Sequence, residues 1–187
     1  MKKLLYVAAL CAAVSFSACN DGVEQMLVGR WTLEKSEIAD LDSFCEYQSR
    51  KSLDEIDKEL KQIDMELETA DKVVYESLVE HRRTVEKRKE MFAPDSIKID
   101  VENNMKELIG NFFFDVRGNK TFSLSSPNDS VSGNWSLLND SVISTLISGR
   151  PSEDVLIMSI SGSKLVLSST EYDDDGYELT TIMSYSK

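Results

Sequence analysis

Hydrophobic residues recur with two different periods along this chain, and the change of period divides it. From Gly29 to Lys35 apolar and polar side chains alternate around Gly29-Arg30-Trp31, which predicts a first strand beginning near Leu27. From about Ser49 to Phe92 the composition turns to Glu, Asp, Lys and Leu without a single Gly or Pro, a helical composition by propensity. Within it Leu53, Ile56, Leu60, Ile63, Leu67, Ala70 and Val74 fall at alternating steps of three and four, the seam of a coiled coil. With Leu53 at an a position, the flanking Asp57, Glu59, Asp64, Glu66 and Asp71 are all acidic, so a parallel homodimer would set acid against acid. Residues 53–68 carry seven acids against Lys58 and Lys61, whereas residues 81–90 carry five bases against Glu86 and Glu90. An antiparallel hairpin turning near residues 69–72 brings these opposite charges together. One continuous helix with a stutter is the alternative, because neither Gly nor Pro marks the turn.

Pro94-Asp95-Ser96 is read as the end of the helical excursion, and Ile97, Ile99 and Val101 alternate briefly before a less regular stretch to Gly110. A period of two then takes over. Phe112 to Val116, the turn Arg117-Gly118-Asn119-Lys120, and Thr121 to Leu124 read as a hairpin. Strands follow at Val131 to Leu137, Ser141 to Ile147, Val155 to Ile160, Lys164 to Tyr172 and Tyr177 to Tyr185, separated by Gly, Pro, Asn and Asp clusters. With the first strand this makes eight. The connections are mostly too short for parallel crossovers, so sequence neighbours should pair antiparallel, and closure into a barrel removes the exposed edges. The expected fold is mainly β with a helical insertion: an eight-stranded antiparallel up-and-down barrel, with a helical hairpin or one long helix between its first two strands. A barrel of eight strands is just filled by its side chains or leaves room for one small ligand.

The first residues state an address. Lys2 and Lys3 precede thirteen mostly apolar residues, Leu4 to Phe16, and Ser17-Ala18 sets small side chains before Cys19. The run is short of the roughly 20 residues a spanning helix needs and has the layout of a secretory signal. Phe16-Ser17-Ala18-Cys19 resembles the signal of bacterial lipoproteins, with Phe where Leu is usual. The resemblance implies cleavage before Cys19 and acylation of its thiol and new amine, palmitate included; several chains together give a lasting hold. The expected layout is a signal peptide over 1–18, a tether over 19–26 and a barrel domain over 27–187, with the insertion at 49–92. The expected location is the bacterial cell envelope, lipid-anchored in the outer membrane. Asp21 and Glu24 are too sparse to decide the leaflet.

Without the signal, 19 basic residues face 33 acidic ones, a side-chain charge of −14. Such a surface repels nucleic acid phosphates and anionic headgroups, so the membrane contact expected is the lipid anchor alone. Of three cysteines, Cys11 leaves with the signal and Cys19 is acylated, so Cys45 remains as a free thiol. With no CxxC pair or His partner, a buried, inert Cys45 is expected.

Gly29-Arg30-Trp31, Phe114-Asp115-Val116-Arg117-Gly118-Asn119-Lys120-Thr121-Phe122 and Gly133-Asn134-Trp135, with the terminal hairpin through Asp175-Gly176, resemble the lipocalin-like lipoproteins of bacterial envelopes. The resemblance implies a small up-and-down barrel whose Gly-x-Trp tryptophan, here Trp31, plugs the closed end. The two Gly-x-Trp strings also look like a weak internal duplication. By alternation, inward positions that could line a ligand cavity are Leu33, Phe112, Phe114, Phe122, Leu124, Trp135, Leu156, Met158, Leu165 and Leu167. A packed core is the competing reading for most of them.

Catalytic chemistry finds little support. His81, the single histidine, sits among Glu80, Arg82 and Arg83 on a charged helix, without the partner and cleft a base needs. Asp173-Asp174-Asp175-Gly176 lacks the spacing of a calcium loop and reads as a tight turn. No zinc spacing or phosphate loop occurs, so no cofactor or metal is expected. Asp95-Ser96-Ile97, Asp129-Ser130-Val131 and Asp140-Ser141-Val142 each match the Asp-Ser-apolar pattern that marks O-glycosylation in certain Gram-negative anaerobes; Asx-type turns before strands account for the same residues. The expected function is therefore non-enzymatic: a barrel holding a small apolar or amphipathic ligand, or a scaffold whose charged helical arm docks another envelope protein.

Overall fold

In the computed structural model of this chain, residues 22–187 are described. The signal, Cys19 and the first residues of the tether lie outside the described residues. Alternation of side chains builds a meander of eight strands: β1 (Gly29–Ile38), β2 (Phe113–Val116), β3 (Thr121–Ser125), β4 (Ser130–Asn139), β5 (Val142–Ile147), β6 (Asp154–Ser161), β7 (Lys164–Tyr172) and β8 (Glu178–Ser186). Each pairs antiparallel with the next, and β8 returns to β1 to close the barrel. The predicted barrel and its strand order are thus realised. Strand limits shift by a few residues, most at the start: Leu27 ends a helical turn, α1 (residues 22–27), instead of opening β1.

One face of every strand points inward. Trp31, Leu33, Phe114, Val116, Phe122, Trp135, Ile143, Met158, Leu165, Leu167 and Tyr185 form a single buried cluster with Leu27, each large side chain contributing roughly 1.5–3 kcal/mol on burial. Phe114 meets Phe122 edge to face, centroids 5.8 Å apart, a favoured aromatic geometry. Irregularities in pairing interrupt β1 between Leu33 and Lys35 and β4 between Leu137 and Asn139, each just after a Gly-x-Trp-x-Leu string. Those strings lie on strands running in opposite directions.

The helical segment connecting β1 to β2 forms a second compact unit, Asp40–Asn104. It begins earlier and ends later than 49–92. Its helices are α2 (Leu41–Thr69), α3 (Lys72–Met91) and α4 (Pro94–Leu108), the last running on past the unit's limit. The hairpin expected from charge is present, and the single long helix is not. Asp71 makes the turn without Gly or Pro: its carboxylate accepts the backbone N–H groups of Val73 and Val74, both at 3.0 Å, the N-cap role Asp performs well. Of the predicted seam Ile56, Leu60 and Ile63 are buried, against Val85, whereas Val74 is 48% exposed because the chain has already turned. Pro94 opens a helix instead of ending the excursion; at a first helical position its missing N–H costs nothing. Ile97, Ile99 and Val101 are accordingly helical.

The expected charge pairing is explicit. Asp57 meets Lys89 at 2.7 Å, Glu59 meets Arg88 at 2.9 Å and Asp64 meets Arg82 at 2.7 Å. Cys45 on α2 is 2% exposed and free, and burial pushes its thiol up from the ordinary value.

Candidate functional site

The two ends of the barrel are built differently. At the end where β1 starts and β2 finishes, α1 lays Leu27 over the interior, and the Trp31 indole N–H donates to the Leu27 carbonyl at 2.7 Å. Trp31 and Leu27 are both fully buried. Beside them the Trp135 indole N–H donates to the Arg117 carbonyl at 3.0 Å. Each indole carries an ammonium on its face: Lys187 Nζ lies 4.3 Å from the Trp31 ring and Lys120 Nζ 4.3 Å from the Trp135 ring, with Lys120 also paired to Glu24. Trp31 thus occupies the closed end, as the resemblance implied.

The glycines of the two strings serve different neighbours. A Cβ at Gly133 would stand 2.1 Å from the Leu146 carbonyl oxygen and 2.8 Å from the Phe122 ring. Gly29, at φ +142°, leaves room for the Lys187 side chain.

The opposite end is open, and a cavity of about 170 Å³ enters it. Its walls are Phe112, Phe114, Phe122, Leu124, Leu156 and Leu167, all anticipated from alternation, together with Ile147, Met183 and Tyr185. Thr145, Asp154, Ser169 and Glu171 complete the lining. Leu33, Trp135, Met158 and Leu165 are buried in the cluster and do not line this cavity. Strand alternation alone could have found Thr145, Ser169 and Glu171, which continue the inward rows of β5 and β7. A search for apolar alternation misses them because it ignores polar residues on an inward row.

Tyr185 is 2% exposed, and its hydroxyl donates to the Met183 sulfur at 3.3 Å. Burial pushes the phenol well above its ordinary value. Thr145, 6% exposed, donates to the Asp154 backbone carbonyl at 3.5 Å.

The remaining candidates are dispersed. His81 is half exposed on α3, 3.6 Å from Glu59. Asp173 spends a side-chain oxygen on the β7–β8 turn, accepting from the N–H groups of Asp175 and Tyr177 at 3.0 and 2.9 Å, with Gly176 at φ +79°. Among the described residues no group of acidic, His or Cys side chains is arranged to hold a metal ion. Ser130 and Ser141 are exposed at strand-entry positions. Ser130 N–H donates to Asp129 at 2.7 Å, and Ser141 N–H donates to Asn139 at 2.9 Å. Ser96 departs from the expected loop: it lies half-buried in the first turn of α4 and donates to the Glu90 carbonyl at 3.2 Å.

Fold and cavity together define a closed eight-stranded antiparallel barrel with one plugged end and one open end, an architecture consistent with a lipocalin-like barrel. No protein-family model matches the chain, and no curated protein does. Among solved structures it is similar to a DUF4847 family protein from Bacteroides vulgatus, at 10% identity and a TM-score of 0.37, over 83% of this chain and 91% of that one.

Proposed function

We propose that this protein is an outer-membrane lipoprotein, held by acyl chains on Cys19, whose barrel binds a small apolar or amphipathic molecule at its open end. The observation that carries the reading is the cavity of about 170 Å³ walled by Phe114, Phe122, Leu156 and Leu167. It is slightly larger than an engineered apolar cavity of about 150 Å³ that accepts benzene, and smaller than the pockets of about 300–1,000 Å³ that hold drug-sized ligands. The ligand body is accordingly of benzene size and not a long acyl chain. The test is mass spectrometry of small molecules that stay with the full chain purified from envelopes, set against Leu156→Trp, which fills the cavity. A molecule retained by the parent and lost from the variant supports binding; equal content in both overturns it. Intact mass reads the anchor in the same sample: Cys19→Ala should lose the acyl mass, and Ser130→Ala or Ser141→Ala a glycan mass if those hydroxyls are modified.

One observation favours a second reading, an interaction module. Asp57, Glu59 and Asp64 on the flank of the helical arm are engaged by its own Lys89, Arg88 and Arg82, whereas Val73, Val74, Tyr75 and Val79 at its tip are exposed by 86, 48, 49 and 43%. A partner would meet the apolar tip before the charged flanks. Val73→Asp with Tyr75→Asp should abolish such an interaction and leave the barrel's ligand unchanged.

A further inference from the structure

We infer that the open-end cavity selects a small amine, with an apolar body between the aromatic walls and its ammonium at a rim of two carboxylates. The inference rests on the reading of the cavity as a ligand site and adds the charge of the ligand.

Asp154 and Glu171 both line the cavity, one from β6 and one from β7. Thr145 pairs with Asp154 across β5 and β6. The β6–β7 ladder ends at Ile157 opposite Ser168, three residues short of both carboxylates. Two carboxylates on the lining of one small cavity repel each other, and the lining contains no basic residue. Asp154 has one ion pair, with Arg150 at 4.0 Å, an exposed pair open to solvent screening. Glu171 has no ion pair among the described residues. An arriving ammonium would supply Glu171 with a counter-charge, and a charge-assisted hydrogen bond to a carboxylate is about twice as strong as a neutral one.

The walls agree with the rim. Phe112, Phe114, Phe122 and Tyr185 present four aromatic rings to one small space, and aromatic faces attract organic cations. The overall acidity of the chain, −12 with its leader, raises the local concentration of cations and lowers that of anions. An anionic amphiphile of the same shape would meet both carboxylates at the entrance, with no basic residue in the lining to neutralise it.

Three probes of one shape separate charge from fit: phenethylammonium, 2-phenylethanol and 3-phenylpropionate, titrated calorimetrically into the full-length chain. The amine should bind about tenfold more tightly than the alcohol, the scale of one charge-assisted contact, and the carboxylate most weakly. In Asp154→Asn/Glu171→Gln the amine should fall to the affinity of the alcohol, which itself stays unchanged and so reports that the cavity is intact. If the double variant does not fold, Glu171→Gln alone should remove part of the amine preference. Equal binding of amine and alcohol, or a preference that survives the variants, overturns the inference and leaves the cavity reading standing. Failure of all three probes to bind overturns the cavity reading itself.

Discussion

The ammonium of Lys187, the last residue of the chain, rests 4.3 Å from the ring of Trp31. It donates there to the carbonyls of Met26 and Val28 at 2.5 and 2.7 Å. The end of the chain thereby fastens α1 across the closed end and holds the indole beneath it. Losing the cation and its two hydrogen bonds should cost about 1–2 kcal/mol. Lys187→Met is expected to lower the melting temperature, whereas Lys164→Met, an exposed lysine on β7, should leave it unchanged. Equal melting of the two variants would show that Lys187 is an ornament of the surface.

Gly133 has no tolerance for a side chain. The Leu146 carbonyl oxygen stands 2.1 Å from where a Cβ would sit and belongs to the neighbouring strand's backbone, so relief requires moving β5, not rotating a side chain. Gly133→Ala should cost about 1–3 kcal/mol, as over-packing does elsewhere. Chemical denaturation measures it; a loss below half a kilocalorie would mean that the sheet opens more easily than its ladder implies.

Tyr185 should make the barrel sensitive to alkali. Burial raises its phenol above the ordinary value of 10.0 in the folded state, so the neutral form is favoured by folding. Its contribution is complete below the unfolded value and is lost as pH climbs past it. Spectrophotometric titration should therefore show one tyrosine that ionises only as the barrel unfolds. Tyr185→Phe should abolish that late step; its persistence in the variant would assign it to another phenol.

Much of this architecture is legible in the residues because alternation and burial coincide. The eight strands could be counted since their connections carry turn chemistry: Arg117-Gly118-Asn119-Lys120 sets Lys120 at φ +65°, and Asp173 to Gly176 closes the last hairpin through its own side chain. The aromatic half of the cavity was visible for the same reason. What alternation could not tell was depth along the barrel: Phe114 and Trp135 obey the same rule, yet Phe114 lines the open-end cavity and Trp135 does not, since Trp31 and Leu27 fill the other end. The helical limits were missed where side chains replace Gly and Pro as punctuation. Asp40 starts α2 in a left-handed conformation, φ 53°, accepting from Ser43 N–H. Asp71 starts α3, and Pro94, read as a terminator, initiates α4.

The helical hairpin should loosen in acid, and its caps and pairs say how. The hydrogen bond from Lys89, then its charge, holds the Asp57 carboxyl below the ordinary value of 3.8. A carboxyl whose folded value is depressed contributes stability above its unfolded value and loses it as pH falls through the folded one. Helical circular dichroism and the melting of the arm should therefore decline as pH drops below 3.8, more steeply at low salt, since the pair is exposed and screened. Asp57→Asn should already be destabilised at neutral pH and show a shallower acid slope. Asp71→Ala acts through a cap and not through a cross-helix pair: it strands the N–H groups of Val73 and Val74 and should cost about 1 kcal/mol. Because cap and pair act at opposite ends of α3, their effects should add. A double variant no worse than either single one would mean that the two helices part as one cooperative step before either contact matters.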